Sequence, residues 1–311
     1  MSEVPPRLAF STLGCPDWTW NQILDSAGND GYEGLEIRLL QRETDLLKVP
    51  EFLPLQRSAR RRECRNAGIV VCGLASSIRF HETDLPLRNS QIETGKRYLE
   101  LAADLGAGMI RVFGDVLSPE ALAENPAALT RELNWIAEGL SQLGELARPY
   151  EIDILLETHG DFTATRHLPE LMRLVNHPQV GLLWDTHHPW RFHGESPELT
   201  WNRIGPWVRH THWKDSDSRL PSDDSPETQE VRQRAIQLMS GHRSAQYCRF
   251  LEGEFPAQNC LHALRLGGYS GWFSLEWEKA WHPEIEDPAY IFPHFADRFK
   301  SLWKTLPDPS P

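Results

Sequence analysis

Four short stretches in the second half of the chain decide its fold: ILLETHGD (154–161), GLLWDTHH (181–188), VRHTHWKD (208–215) and WFSLEWE (272–278). Each begins with an apolar, strand-like run and then presents a carboxylate or an imidazole: Glu157, Asp185, His212 and Glu276. Helix-sized intervals separate the runs, which is typical of parallel strands joined by helices. We therefore expect four polar side chains at neighbouring strand ends.

The same alternation extends over the whole chain. Apolar or β-branched runs predict eight strands, at 7–12, 34–40, 69–75, 109–113, 152–156, 180–184, 207–213 and 272–277. Apolar residues at helical spacing predict helices at 20–27, 92–105, 129–146 and 168–175, and the charged stretch at 57–65 is interpreted as a helix with a solvated basic face. An open doubly wound sheet would need a Gly-rich phosphate turn, which STLGCPDW (11–18) does not supply. The sequence therefore predicts an α/β fold, a single-domain (β/α)8 TIM barrel over residues 1–311.

Composition excludes several classes of protein. A hydrophobic content of 40% with 12 tryptophans supports a large core and argues against disorder. A formal charge of −12 argues against a nucleic-acid partner, which needs a basic face. The 5 cysteines lack CxxC spacing and are typical of reduced thiols. No signal peptide and no membrane-length apolar run is evident, so we expect a cytoplasmic protein without a membrane partner.

One polar segment, at about 216–242, interrupts the alternation after the seventh strand. The segment is interpreted either as a tolerated surface insertion or as a lid or subunit contact, and it contains a short helical pattern around 231–239. The Pro-rich tail PDPSP (307–311) is expected to be frayed.

The four strand-end side chains predict a metal site, because the carboxyl ends of barrel strands meet in one bowl. Three carboxylates with one imidazole suit Mn²⁺ or Mg²⁺ and can accept Co²⁺ or Zn²⁺. Each residue also has an ordinary structural interpretation. Glu157 could cap a helix, Asp185 could stabilise a turn, and His212 could be a hydrogen-bonded core residue. Glu276 could pair with Lys279 on the surface.

These motifs also carry a resemblance. The order Glu, Asp-x-x-His, His-x-Lys-Asp and a final strand Glu resembles the xylose-isomerase-like barrel superfamily of sugar (phosphate) isomerases and epimerases. GYEGLEIR (31–38) and LEGEFP (251–256) are similar to segments of that superfamily, and the likeness runs from about Leu8 to Phe299. The resemblance implies four metal ligands: Glu157, Asp185, His212 and Glu276. It also implies that Glu157 and Glu276 move the proton and that His188 contacts substrate or metal-bound water.

The function predicted on this basis is a sugar or sugar-phosphate isomerase or epimerase that depends on a divalent metal, Mn²⁺ foremost. The cation would stabilise an enediolate after proton abstraction next to a carbonyl. One alternative is a dehydratase, a lyase acting on a keto-inositol; a second is a non-catalytic sugar- or metal-binding barrel. An abasic-site endonuclease would need more histidines and a basic face. The expected partner is a small carbohydrate, with a homodimer as a further option.

The remaining candidate residues have alternative interpretations. Lys214 could steady an oxyanion or form a rim salt bridge, and Arg219 could clamp a polar substrate or belong to the surface. Arg38 could reach a hydroxyl or phosphate group, or form an ion pair with Glu36 inside the barrel. Trp190 is expected to form an apolar wall against a sugar, as is Trp281. We expect His159 and His210 to be core residues or to support the ligands indirectly.

Overall fold

Eight parallel strands close into a barrel in the computed structural model, which describes residues 5–123, 125–218 and 245–307. The strands of the described residues are β1 (Arg7–Ser11), β2 (Gly34–Ile37), β3 (Val70–Arg79), β4 (Met109–Phe113), β5 (Asp153–Glu157), β6 (Val180–Asp185), β7 (Val208–Trp213), β8 (Asp215–Asp217), β9 (Gln246–Cys248) and β10 (Trp272–Leu275). Strands β1 to β7 pair in sequence order, and β10 closes the barrel between β7 and β1. The predicted TIM barrel is therefore confirmed.

Helices cover the outside of the barrel. They are α1 (Trp20–Asn29), α2 (Pro54–Asn66), α3 (Leu85–Leu105), α4 (Pro119–Leu122), α5 (Pro126–Ala147), α6 (Leu168–Val175), α7 (His187–His193), α8 (Pro197–Ile204), α9 (Ala257–Leu266) and α10 (Pro288–Thr305). Local chemistry sets where several of them begin. The Asn125 side chain accepts hydrogen bonds from the first turn of α5, and Ser196 does the same for α8.

The main core lies between the barrel and its helices. Strand alternation predicts that Trp184 and Trp213 point away from the bowl, and both are completely buried in this layer. Trp184 packs against Trp201 of α8, and Trp213 contacts Phe299 of α10 with ring centroids 5.1 Å apart. The residues that alternate with these tryptophans along β6 and β7 consequently face the barrel interior.

The segment after β7 is described only at its two ends. Strand β8 pairs antiparallel with β9, so the two described ends of this segment lie side by side. Arg219, the helical pattern around 231–239 and the tail residues 308–311 lie outside the described residues. Within the described part, no helix is both long and apolar enough to cross a membrane.

Candidate active site

The four predicted ligands meet at the carboxyl ends of their strands. Each offers one donor atom, and these atoms all lie within 4.8 Å of one another, with all four residues buried: Glu157, Asp185, His212 and Glu276. His212 Nδ1 lies 3.2 Å from Glu276 Oε2 and 3.5 Å from Glu157 Oε1. The four side chains therefore converge as the sequence predicts.

Strand register explains the convergence. Glu157 and Asp185 are the last residues of β5 and β6, and Asp185 lies beside His212 in the β6–β7 register. His212 in turn lies beside Ser274 of β10, and Glu276 follows Ser274 by two residues on the same side of the chain. The register of these parallel strands thus brings the four side chains close together at the carboxyl end of the barrel.

The donor set fits a divalent cation. His212 Nδ1 is buried and has no hydrogen-bond partner among the described residues, whereas its Nε2 is bonded to Glu36. An imidazole with one ring nitrogen fixed by a carboxylate leaves the other nitrogen to ligate a metal. The three carboxylates supply the oxygen ligands that hard cations prefer.

Glu36 supports this arrangement from β2. Its carboxylate lies 2.8 Å from His210 Nε2 and 2.9 Å from His212 Nε2, so the suggested ion pair between Glu36 and Arg38 is wrong. Burial would raise the Glu36 pKa, but the charges and hydrogen bonds of the two histidines outweigh it and hold that pKa well below its ordinary value. His210 is a core residue that supports a ligand, as the sequence analysis expected.

Lys214 is enclosed by acids rather than exposed at a rim. Its ammonium lies 2.7 Å from Asp185 Oδ2, 2.6 Å from Glu276 Oε2 and 2.6 Å from Glu278 Oε1, and the side chain is completely buried. Burial would lower the Lys214 pKa, but these carboxylates raise it well above its ordinary value. Burial raises the Asp185 pKa to about 7, although Lys214 opposes this shift. Lys214 therefore balances the charge of Asp185, Glu276 and Glu278, and it is not one of the residues that line the pocket.

An open pocket with about 830 Å³ of empty space lies above the four ligands. Glu157, Glu276 and His188 lie on its lining, together with three arginines: Arg38, Arg79 and Arg111. Apolar lining comes from Leu13, Phe113 and Trp281. A small molecule with both polar and apolar faces fits such a pocket.

Two predicted substrate contacts have different outcomes. His188 faces the pocket, with Nδ1 3.1 Å from Thr158 O and Nε2 3.5 Å from Asp185 Oδ2. Trp190 does not belong to the pocket lining, because residues 187–193 form helix α7 and residues two apart on a helix face different directions. Its ring packs against Phe255 instead. Trp281 provides the aromatic wall.

His159 is more than the core or supporting residue that the sequence predicts, because it reaches the pocket. His159 lines the pocket, and its Nδ1 lies 2.7 Å from Asp115 Oδ1, while Asp115 also pairs with Arg79 at 3.3 Å. Burial would lower the His159 pKa, but the hydrogen bond that His159 donates to the Asp115 carboxylate outweighs it and raises that pKa above its ordinary value. A usable signal existed, since His159 follows Glu157 by two residues and so shares its side of the chain.

Backbone conformation at Gly160 holds this pair together. Gly160 adopts a φ of +57°, and a Cβ built there would lie 2.8 Å from Asp115 O. Only glycine accommodates both the left-handed backbone and this close approach. The loop after β5 can therefore pack against Asp115 and keep His159 within hydrogen-bonding distance.

The comparisons with known proteins agree with this fold and these motifs. The family model described as "Xylose isomerase-like TIM barrel" matches residues 24–293, so the chain belongs to this family. A curated relative, an inosose dehydratase from Bacillus thuringiensis (strain Al Hakam), is 24% identical over 284 residues, which cover 88% of this chain and 85% of the relative.

Two solved structures show the same barrel. The IOLI protein, which carries a bound zinc atom, has a TM-score of 0.72 and 18% identity, with 96% of this chain and 99% of that chain covered. L-Ribulose 3-epimerase has a TM-score of 0.71 and 14% identity, with 96% of this chain and 95% of that chain covered. At these identities the likeness establishes the fold alone.

Proposed function

We propose that this protein is a metal-dependent dehydratase, a lyase that removes water from a cyclic polyhydroxy ketone of the inosose type. The observation that carries the proposal is the convergence of four buried donor side chains, two of which, Glu157 and Glu276, line one pocket. The name of the curated relative supports elimination of water better than the isomerisation predicted first from the sequence. The dehydratase alternative of the sequence analysis is thus preferred.

The cation would be held by the four residues of that cluster: Glu157, Asp185, His212 and Glu276. When bound, it supplies Lewis-acid polarisation of a carbonyl oxygen, which acidifies the neighbouring C–H group. Oxygen-rich ligands favour Mn²⁺, while the zinc in the IOLI protein makes Zn²⁺ an alternative.

The chain supplies separate groups for the two proton transfers. Glu276 follows β10 and His159 lies beyond the end of β5, three positions away around the eight-stranded barrel, and both line the pocket. Glu276 removes the proton from the carbon next to the carbonyl, and the C–H electrons form the new C=C bond. The C–O bond to the adjacent hydroxyl breaks as His159 donates a proton, and the hydroxyl leaves as water.

Epimerisation is the second candidate, because both Glu157 and Glu276 line the pocket. A two-base epimerase needs one carboxylate to receive a proton while the other gives one up. Here Glu157 is bonded to Arg111 at 2.6 Å and Glu276 to Lys214 at 2.6 Å. Because both carboxylates are held by a fixed cation, both favour the ionised form, which suits one base with a different acid.

The test is incubation of the metal-loaded protein with an inosose in D₂O, followed by NMR. A dehydratase produces an unsaturated ketone or its diketone tautomer and consumes the inosose. An epimerase would instead incorporate deuterium at carbon without losing a hydroxyl group. If the protein binds Mn²⁺ but produces neither change, the non-catalytic alternative is correct.

Substitution of the acid and base sharpens this test. Glu276→Gln and His159→Asn should each lower kcat by about 10²- to 10⁴-fold, the usual contribution of a positioned proton donor or acceptor. Asp115→Asn removes the group that raises the His159 pKa, so the fall in rate at high pH should begin at a lower pH than in the wild type. His177→Asn is the matched control, because His177 pairs with Glu145 outside the pocket. A His159→Asn variant with wild-type kcat would contradict the assigned acid.

A further inference from the structure

The three arginines that line the pocket differ in their partners. Arg111 pairs with Glu157 at 2.6 Å, and Arg79 pairs with Asp115 at 3.3 Å. Arg38 forms no ion pair with any carboxylate of the described residues; its guanidinium donates only to two neutral oxygens. These are Thr44 O at 3.4 Å and Ser77 Oγ at 3.1 Å.

Arg38 is nevertheless buried. It follows the end of β2 and is 9% exposed, the same fraction as Arg57. Arg57, however, pairs with Asp104 at 3.0 Å. Removing a cation from water without a counter-ion is costly, so buried charges in proteins are normally paired.

Burial and a neighbouring cation both disfavour the charged form of Arg38. Burial first, and then the nearby positive charge of Arg111, lower the Arg38 pKa to about 10. A guanidinium has five N–H donors, arranged to bind a carboxylate or phosphate through two parallel hydrogen bonds. The ring of Trp281 lies 5.7 Å away and shields one side.

A second arginine continues this edge of the pocket. Ser77, which accepts from Arg38, and Arg79 lie two residues apart on β3, so they share one side of the strand. Both line the same pocket as Arg38. Positive charge is thus concentrated at β2 and β3, on the opposite side of the barrel order from β6 and β7, which supply Asp185 and His212.

We propose that the natural substrate carries one carboxylate or phosphate group, which Arg38 binds at the β2–β3 side of the pocket. This inference rests on the proposed function and narrows its substrate class from neutral inososes to anionic polyhydroxy ketones. Glu276 and Glu157 act on Arg38 only without direct pairing, so the anion supplies the paired counter-ion, and it orients the carbonyl toward the four donor side chains.

Binding to matched probes tests the inference independently of turnover. D-Fructose, D-fructose 6-phosphate and D-fructuronate share one carbon chain and differ only at C6, which is neutral, a phosphate or a carboxylate. Calorimetric titration of the Mn²⁺-loaded protein should show at least one anion binding about tenfold or more tighter than fructose. The stronger of the two anions identifies which group the site accepts.

Variants assign the preference to Arg38. Arg38→Met should abolish the tenfold preference for the anion and leave the affinity for fructose within about twofold, and Arg38→Lys should retain part of it. Arg42→Met is the matched control, since Arg42 is exposed and paired with Asp17. Thermal melting of each variant verifies that it is folded.

The outcomes separate this inference from the proposed function. Equal binding of all three probes by the wild type, or equal loss of all three in Arg38→Met, would overturn the anion site. Efficient dehydration of a neutral inosose by Arg38→Met would do the same while leaving the lyase intact. An Arg38-dependent anion preference without dehydration of any polyhydroxy ketone, neutral or anionic, supports the anion site and contradicts the lyase.

Discussion

Glu36 contacts the proposed metal cluster through a single side chain, His212. Its carboxylate accepts from His212 Nε2, which leaves His212 Nδ1 directed at the other three ligands. Glu36→Gln retains the shape of the side chain but removes its charge. The variant should therefore bind Mn²⁺ or Co²⁺ about 10- to 100-fold more weakly, as measured by competition titration against a chelating dye.

The control for this prediction is Glu33→Gln, because Glu33 is exposed and lies just before β2. Its metal affinity should equal that of the wild type. If Glu36→Gln also retains full affinity, then Glu36 serves only to fill the barrel interior, and the orientation of His212 is set by its strand.

At this scale the sequence predicts positions better than partners. The four donors could be placed together because each follows an apolar run of a strand, and strand ends meet in a barrel. The partner of Glu36 could not be predicted, since His212 lies 176 residues away and several side chains of the same level compete for it. Trp190 was wrongly predicted to line the pocket, because it belongs to the seven-residue helix α7, which directs its side chain elsewhere.

Among the elements, the pairing of β8 with β9 depends on one buried carboxylate, that of Asp215. Asp215 accepts from four backbone N–H groups, of Ser216, Leu251, Gly253 and Phe255, at 2.8 to 3.1 Å. Asp215→Ala leaves these donors without partners, at a cost of about 1–3 kcal/mol for each one that stays buried. In urea titrations, the free energy of unfolding of the variant should be about 3 kcal/mol lower than that of the wild type.

A matched comparison is Asp25→Ala on the exposed side of α1, which should change stability by less than about 0.5 kcal/mol. A stable Asp215→Ala variant would show that water replaces the lost acceptor and that this loop is more open to solvent than its burial indicates.

Long elements were easier to predict than short ones. The barrel strands and helix α6 were recognised from the pattern of their apolar residues, with boundaries that differ by at most four residues. Strands β8 and β9 have three residues each and contain mostly polar side chains, so no period can develop. Their pairing is held by tertiary contacts such as those of Asp215, which a local pattern cannot reveal.

For the molecule as a whole, counting strands was sufficient to predict the closed barrel, because eight parallel strands with outer helices have few other ways to bury both faces. The chemistry was harder to predict. Elimination and epimerisation share the first proton transfer, so the ligands alone do not separate them. The difference lies in His159 and Asp115, whose contact joins the loops after β4 and β5.

The charge balance of the site gives a prediction for the stability of the whole molecule. Three carboxylates lie close together in a buried cluster, with Lys214 and Arg111 as counter-ions. A cation that binds only the folded state adds about 2.7 kcal/mol at 100 times its Kd, which for a chain of this size corresponds to a rise in Tm of several degrees. Calorimetric scans with Mn²⁺ should show this rise, and EDTA should reverse it.

Asp185→Asn removes one ligand charge and should lose most of the Mn²⁺-dependent rise, whereas Asp25→Asn on α1 should retain it. The two variants lose the same formal charge, so a general electrostatic effect of Mn²⁺ on an acidic protein would affect both equally. If Mn²⁺, Co²⁺ and Zn²⁺ all leave the wild-type Tm unchanged, the Lys214 ammonium is the permanent counter-ion of these carboxylates. The pocket would then hold a salt-bridge cluster, and proton abstraction would have to proceed without a metal.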